Sequence, residues 1–97
     1  MPGILASLLA AFLGTAPAAE MPRDRWRVVG LSGAEPLNVR AGPSTAYDVV
    51  AEIAAGTVVR GFGCEGEGDQ RWCRIAAPDA AAPTGWAASR FLEAATP

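Results

Sequence analysis

The sequence predicts a small all-β domain, and three observations carry that prediction. Leu37 and Val39 alternate with Asn38 and Arg40, the period-two pattern of a half-buried strand. Turn-forming residues recur at short intervals, at Gly30 to Gly33, Gly42-Pro43-Ser44, Gly56 and Glu65 to Gln70. β-branched residues crowd Val49 to Ile53, and Gly56 cuts that stretch short. Val49, Val50 and Ile53 are spaced as on a helical turn, so here β propensity decides for a strand.

Taken in order, Glu20 to Arg27 is charged, contains Pro22 and reads as a linker with Trp26 as its one anchor. Arg27 to Leu31 is the expected first strand, followed by Leu37 to Arg40. Gly42 then supplies backbone freedom, Pro43 fixes φ, and Ser44 or Thr45 can hydrogen-bond back onto the turn. Val49 to Ile53 and Thr57 to Cys64 follow. In the latter, Val58, Phe62 and Cys64 share one parity, and Thr57, Val59, Gly61 and Gly63 share the other. The two glycines predict a bulge or a close backbone approach. On the returning strand Cys73 and Ile75 point one way, Trp72 and Arg74 the other. With Cys73 committed inward, Trp72 belongs on the outer face. Pro78 to Pro83 reads as a loop, Gly85 to Ala87 as the last strand, and Ser89 to Leu92 as one helical turn.

Ile4 to Leu13 is apolar on every side and has the length of a signal-peptide core, too short to span a membrane. Ala16-Pro17-Ala18 completes a cleavage site, so residues 1–18 are expected to be removed, although the n-region holds no Lys or Arg. A buried helix over Ile4 to Phe12 is the alternative. No second apolar span follows, so no membrane span is expected in the mature chain. Export also fits the cysteines. Cys64 and Cys73 flank the turn-rich Glu65 to Gln70, where they can face each other across a hairpin, and a disulfide is expected. Closing so short a loop stabilises a small domain by about 2.5 to 3 kcal/mol. The alternative is a reactive or metal-binding pair, though two Cys without His make a poor zinc site.

The net charge is −2, all ten acids and all eight Arg lie beyond residue 18, and nucleic acid is a poor partner for that balance. The chain has no His and no Lys, which removes the usual general base, every Ser-His-Asp or Cys-His arrangement and Schiff-base chemistry. Gly61-Phe62-Gly63-Cys64-Glu65-Gly66 matches the dinucleotide-binding glycine pattern by letters only, since no helix follows to receive a phosphate. Glu65, Glu67 and Asp69 read as a solvated turn rather than a calcium loop. No catalytic residue, cofactor or metal is expected.

Leu37 to Pro43, Leu-Asn-Val-Arg-Ala-Gly-Pro, resembles the LNVRSGPS-type signature of bacterial SH3 (SH3b) domains, with Ala41 as the main change. Later features agree in order: Ala54-Ala55-Gly56-Thr57, Trp72-Cys73-Arg74-Ile75, Thr84-Gly85-Trp86-Ala87 and Ser89-Arg90-Phe91-Leu92. The resemblance covers Val28 to Leu92 and implies a small five-stranded, strongly bent SH3-like barrel with a short terminal 3-10 turn. The expected organisation is a signal peptide at 1–18, a linker at 19–27, the domain at 28–92 and a flexible tail at 93–97.

The same resemblance implies a shallow aromatic groove, matched here by Trp72, Phe91, Ala88, and Tyr47 or its loop neighbours. Eukaryotic SH3 domains usually carry Pro and Tyr at the positions of Ala88 and Phe91, which weighs against Pro-rich helices as ligands. Trp86 and Phe62 are expected to fill the barrel, while Phe91 suits either core or groove. Asn38, Gly42 and Arg40 read as structural, with Arg40 pairing Asp48 or Glu52. The functional expectation is a monomeric, non-catalytic binding module, periplasmic or secreted. Its ligand is peptidoglycan, or alternatively an envelope protein docked on the aromatic face or a sheet edge.

Overall fold

The computed structural model describes residues 21–95, so the expected signal peptide at 1–18 lies outside the described residues. Among the described residues, seven strands form one antiparallel sheet: β1 (Asp24–Val28), β2 (Leu37–Arg40), β3 (Val49–Ile53), β4 (Val58–Glu65), β5 (Trp72–Ala76), β6 (Gly85–Ala88) and β7 (Leu92–Ala94). Their order is β3-β2-β6-β5-β4-β1-β7, and 3-10 turns occupy Gly68–Gln70 and Ser89–Phe91. The core is one cluster of Val28, Leu37, Val39, Ile53, Val59, Cys73, Ile75 and Ala87. Six strands contribute to it. A single sheet can gather residues from six strands into one cluster only by curling over its own inner face, which is the bent all-β architecture the sequence predicts.

Strand alternation explains most of that core. Leu37 and Val39 are buried from β2, and Cys73 and Ile75 from β5, each pair two residues apart. β4 departs from simple alternation. Gly61 pairs with Ile75 and Cys64 with Cys73, so Phe62 and Gly63 together oppose Arg74 alone. This extra residue is the bulge that the two glycines predict, and Gly63 adopts φ 109° within it. Its effect is to change parity. Val59 and Gly61 face the core, and only the inserted residue brings Cys64 onto that same face opposite Cys73. There the two form a disulfide, with Cα atoms 3.9 Å apart.

The first strand corrects two expectations. It runs from Asp24 to Val28 rather than from Arg27 to Leu31, so much of the expected linker is sheet. Arg25 and Arg27 alternate with Trp26 and Val28, and pairing to both β4 and β7 fixes their faces. Trp26 pairs with Val59 and packs its ring over Gly61, where a Cβ would meet Trp26 Cε3 at 2.7 Å. The tail is corrected as well: Glu93 and Ala94 pair with Arg27 and Trp26, and the Ala95 amide donates to the Arg25 carbonyl at 2.9 Å. Trp86 does not fill the barrel. Ala87 takes the inward place on β6 and turns its neighbour out, leaving Trp86 half-buried. Phe62 is buried but stands outside the core cluster, on the bulge.

The β2–β3 connection is held by polar contacts. Arg40 donates from Nη1 to the Tyr47 carbonyl at 2.9 Å and to the Thr45 carbonyl at 3.3 Å, in place of the expected pairing with Asp48 or Glu52. Ser44 Oγ accepts from the Ala46 amide at 3.1 Å, and the Ala41 amide donates to the Asp48 carbonyl at 2.9 Å. The loop is thereby closed on itself.

Gly61→Ala forces the Trp26 ring off β4, and a loss of about 1 to 3 kcal/mol in unfolding free energy is expected from denaturant titration. Gly61 has no positive φ, so its loss is steric; Gly56→Ala, with open space around its Cβ but φ +85°, shows the opposite case of backbone cost without a clash. Arg40→Met leaves the Thr45 and Tyr47 carbonyls to water. Faster amide hydrogen exchange across 44–48 and a stability loss of about 1 kcal/mol are expected.

Candidate ligand groove

Because Cys73 and Ile75 point into the core, Trp72 and Arg74 lie on the opposite face of β5. Across β6 they pair with Ala88 and Trp86. The chain then turns at Ser89–Phe91, and the Ser89 amide donates to the Arg71 carbonyl at 3.0 Å, tying this turn to the base of the β4–β5 hairpin. Two clefts result. The first, about 460 Å³, is bordered by Ser44, Thr45, Asp69, Gln70, Trp72 and Arg90. The second, about 170 Å³, is lined by Leu31, Pro36, Asn38, Ala88 and Phe91 among others. Thr45, Trp72 and Arg90 border both, so the two clefts adjoin across these residues and are treated together as the groove.

Three of the four residues predicted for the groove, Trp72, Ala88 and Phe91, therefore come together. Tyr47 does not. It is 48% exposed, and its ring lies against Gly42, where a Cβ would sit 2.5 Å from ring carbons. Its loop neighbours Ser44 and Thr45 line the groove instead. Trp72 is on the predicted face but only 7% exposed, because Thr45, Ala88 and Arg90 close around it. Parity placed the ring outside the core cluster correctly, and the loop and 3-10 turn then covered most of its surface.

Arg90, Asp69 and Gln70 are groove residues that sequence reasoning missed. Arg90 had a readable signal. It directly precedes Phe91 in the terminal turn, and its Cζ stands 4.7 Å from the centre of the Phe91 ring. Asp69 and Gln70 were legible only as hairpin-tip residues. Their place on the groove depends on how the hairpin bends, through the Gly68–Gln70 turn.

A larger cleft, about 580 Å³, lies between β1 and β4 beside Pro78 and Ala95. It has no aromatic wall. Two of its arginines serve the fold, Arg23 donating to the Phe62 carbonyl at 2.7 Å and Arg60 to the Ala77 and Ala80 carbonyls. Trp86 borders a separate cleft of about 220 Å³ with Phe62 and Arg74. An apolar wall with a few converging polar groups is what small-ligand sites share, and the Trp72 groove combines these features best. Among the described residues, no group of three or more His, Cys, Asp or Glu is gathered as a metal site would require.

No curated protein and no solved structure matches the chain. A family model does, over residues 35–93, more than half of the sequence and the whole span from β2 through the terminal turn that builds the groove. That model describes the bacterial SH3 domain, and the protein belongs to this family.

Proposed function

We propose that the protein is an exported, non-catalytic binding module that offers the Trp72 groove to a cell-envelope ligand, with peptidoglycan as the first candidate. The observation that carries this reading is the convergence of Trp72, Ala88 and Phe91 on one groove with a polar rim. Bacterial SH3 domains are generally binding modules and often cell-wall related, which supports the ligand class. The disulfide fits an oxidising compartment, and so supports export. Absence of His and Lys from the sequence weighs against catalysis.

Co-sedimentation with purified peptidoglycan sacculi tests the proposal. Trp72→Ala is a poor control, because truncating a nearly buried Trp costs about 3 kcal/mol or more. Thr45→Trp serves better: residue 45 is exposed and borders both clefts, so a bulky ring there fills the groove without touching the core. Pelleting of the wild type and loss with Thr45→Trp is the expected result. Equal pelleting of both sinks groove recognition.

A second reading, docking of an envelope protein by strand addition, is favoured by one observation. β3 ends the sheet, and Val49 and Val50 on it are 43% and 50% exposed. On this reading Val50→Lys abolishes cross-linking to envelope proteins while Thr45→Trp leaves it intact. The reverse pattern returns the function to the groove.

A further inference from the structure

The geometry points to Arg90 as the residue that sets ligand chemistry in the groove: we infer that it receives a carboxylate carried beside a small apolar group, as at the C-terminus of a short peptide. This inference rests on the groove reading above and assigns its ligand class.

Two guanidinium groups border the groove, and they are differently committed. Arg40 gives its Nη1 to the Thr45 and Tyr47 carbonyls, so it is occupied in holding the loop. Arg90 is exposed, and its contact among the described residues is the face of the Phe91 ring, 4.7 Å from Cζ. A cation–π contact of this kind uses none of the guanidinium's N–H groups as hydrogen-bond donors to a carbonyl, unlike the contacts of Arg40. A guanidinium resting over a ring in this way keeps donors for a two-point hydrogen bond to a carboxylate.

The surroundings narrow the ligand further. The half-buried Phe91 offers apolar surface next to the guanidinium, above the nearly buried Trp72 and Ala88, which suits a carboxylate attached to a small apolar side chain. Asp69 borders the first cleft and Glu35 the second, each together with Arg90, so a ligand of high negative charge meets repulsion there, and a single carboxylate is accepted only through its contact with Arg90. At about 460 Å³, that cleft lies within the usual range for small-ligand sites and admits a short peptide end rather than a folded chain.

The test uses the full chain labelled with nitrogen-15 and two probes, N-acetyl-alanyl-alanine with a free carboxylate and the same dipeptide as its C-terminal amide. Titrations are followed at the Trp72 indole and the Arg90 side-chain signal. The carboxylate form is expected to bind at least about tenfold more tightly than the amide. Arg90→Gln should remove that preference and Arg90→Lys should retain part of it, with both variants checked for folding by thermal melt. Equal binding of the two probes, binding of neither, or a preference that survives Arg90→Gln overturns the inference. Sacculus pelleting separates its failure from that of the groove reading. If Thr45→Trp abolishes pelleting and Arg90→Gln does not, the groove stands and the carboxylate assignment falls; if neither variant matters, both fall.

Discussion

One inserted residue in β4 governs how the two faces of this sheet are used. Between Gly61 and Cys64 the chain holds one residue more than β5 opposes to it, and the parity of the rest of β4 is reversed. Before the bulge, Val59 and Gly61 face inward, and the Trp26 ring closes over the bare Gly61 backbone. After it, Cys64 faces inward and reaches Cys73. Without the insertion, Cys64 would share the outer face with Phe62 and the cross-strand bond could not form.

That commitment is transmitted to the groove by strand geometry alone. Once Cys73 is fixed in the core, Trp72 must lie on the other side of β5, directly across from Ala88 on β6. Small residues on β6 let the terminal turn approach closely enough for Arg90 and Phe91 to border the same space. On the far side the space is limited by the β2–β3 loop, which Arg40 holds through two carbonyls. The groove is therefore bounded by backbone-anchored elements, with Thr45 and Arg90 as the exposed side chains common to both halves.

Much of this was legible from residue order. Alternation identified Leu37 and Val39 as core, the paired glycines announced the bulge, and the cysteine spacing announced the disulfide. The failures share one cause: they concern residues whose fate depends on partners remote in sequence. β1 was hidden because Asp24, Arg25 and Arg27 look like a linker until β4 and β7 flank them. Trp86 looked like core because it is large and apolar, yet register gave the inward place to Ala87. Trp72 was placed on the correct face and wrongly expected to be open, because the covering loop and turn lie 27 residues before and 18 residues after it, at Thr45 and Arg90. Asp69 and Gln70 could not be assigned to the groove before the bend of the hairpin was known.

The cross-strand disulfide has a further consequence for how this domain can change over time. It seals the base of the β4–β5 hairpin, so the segment from Glu65 to Trp72 is a closed ring whose ends cannot separate. Residues added to or removed from that ring alter the rim near Asp69 and Gln70 without disturbing the register of the strands beneath. The shape of the rim is thus free to diverge at the hairpin tip while the barrel stays the same. The bond that secures the scaffold also insulates it from variation in the part that meets the outside world.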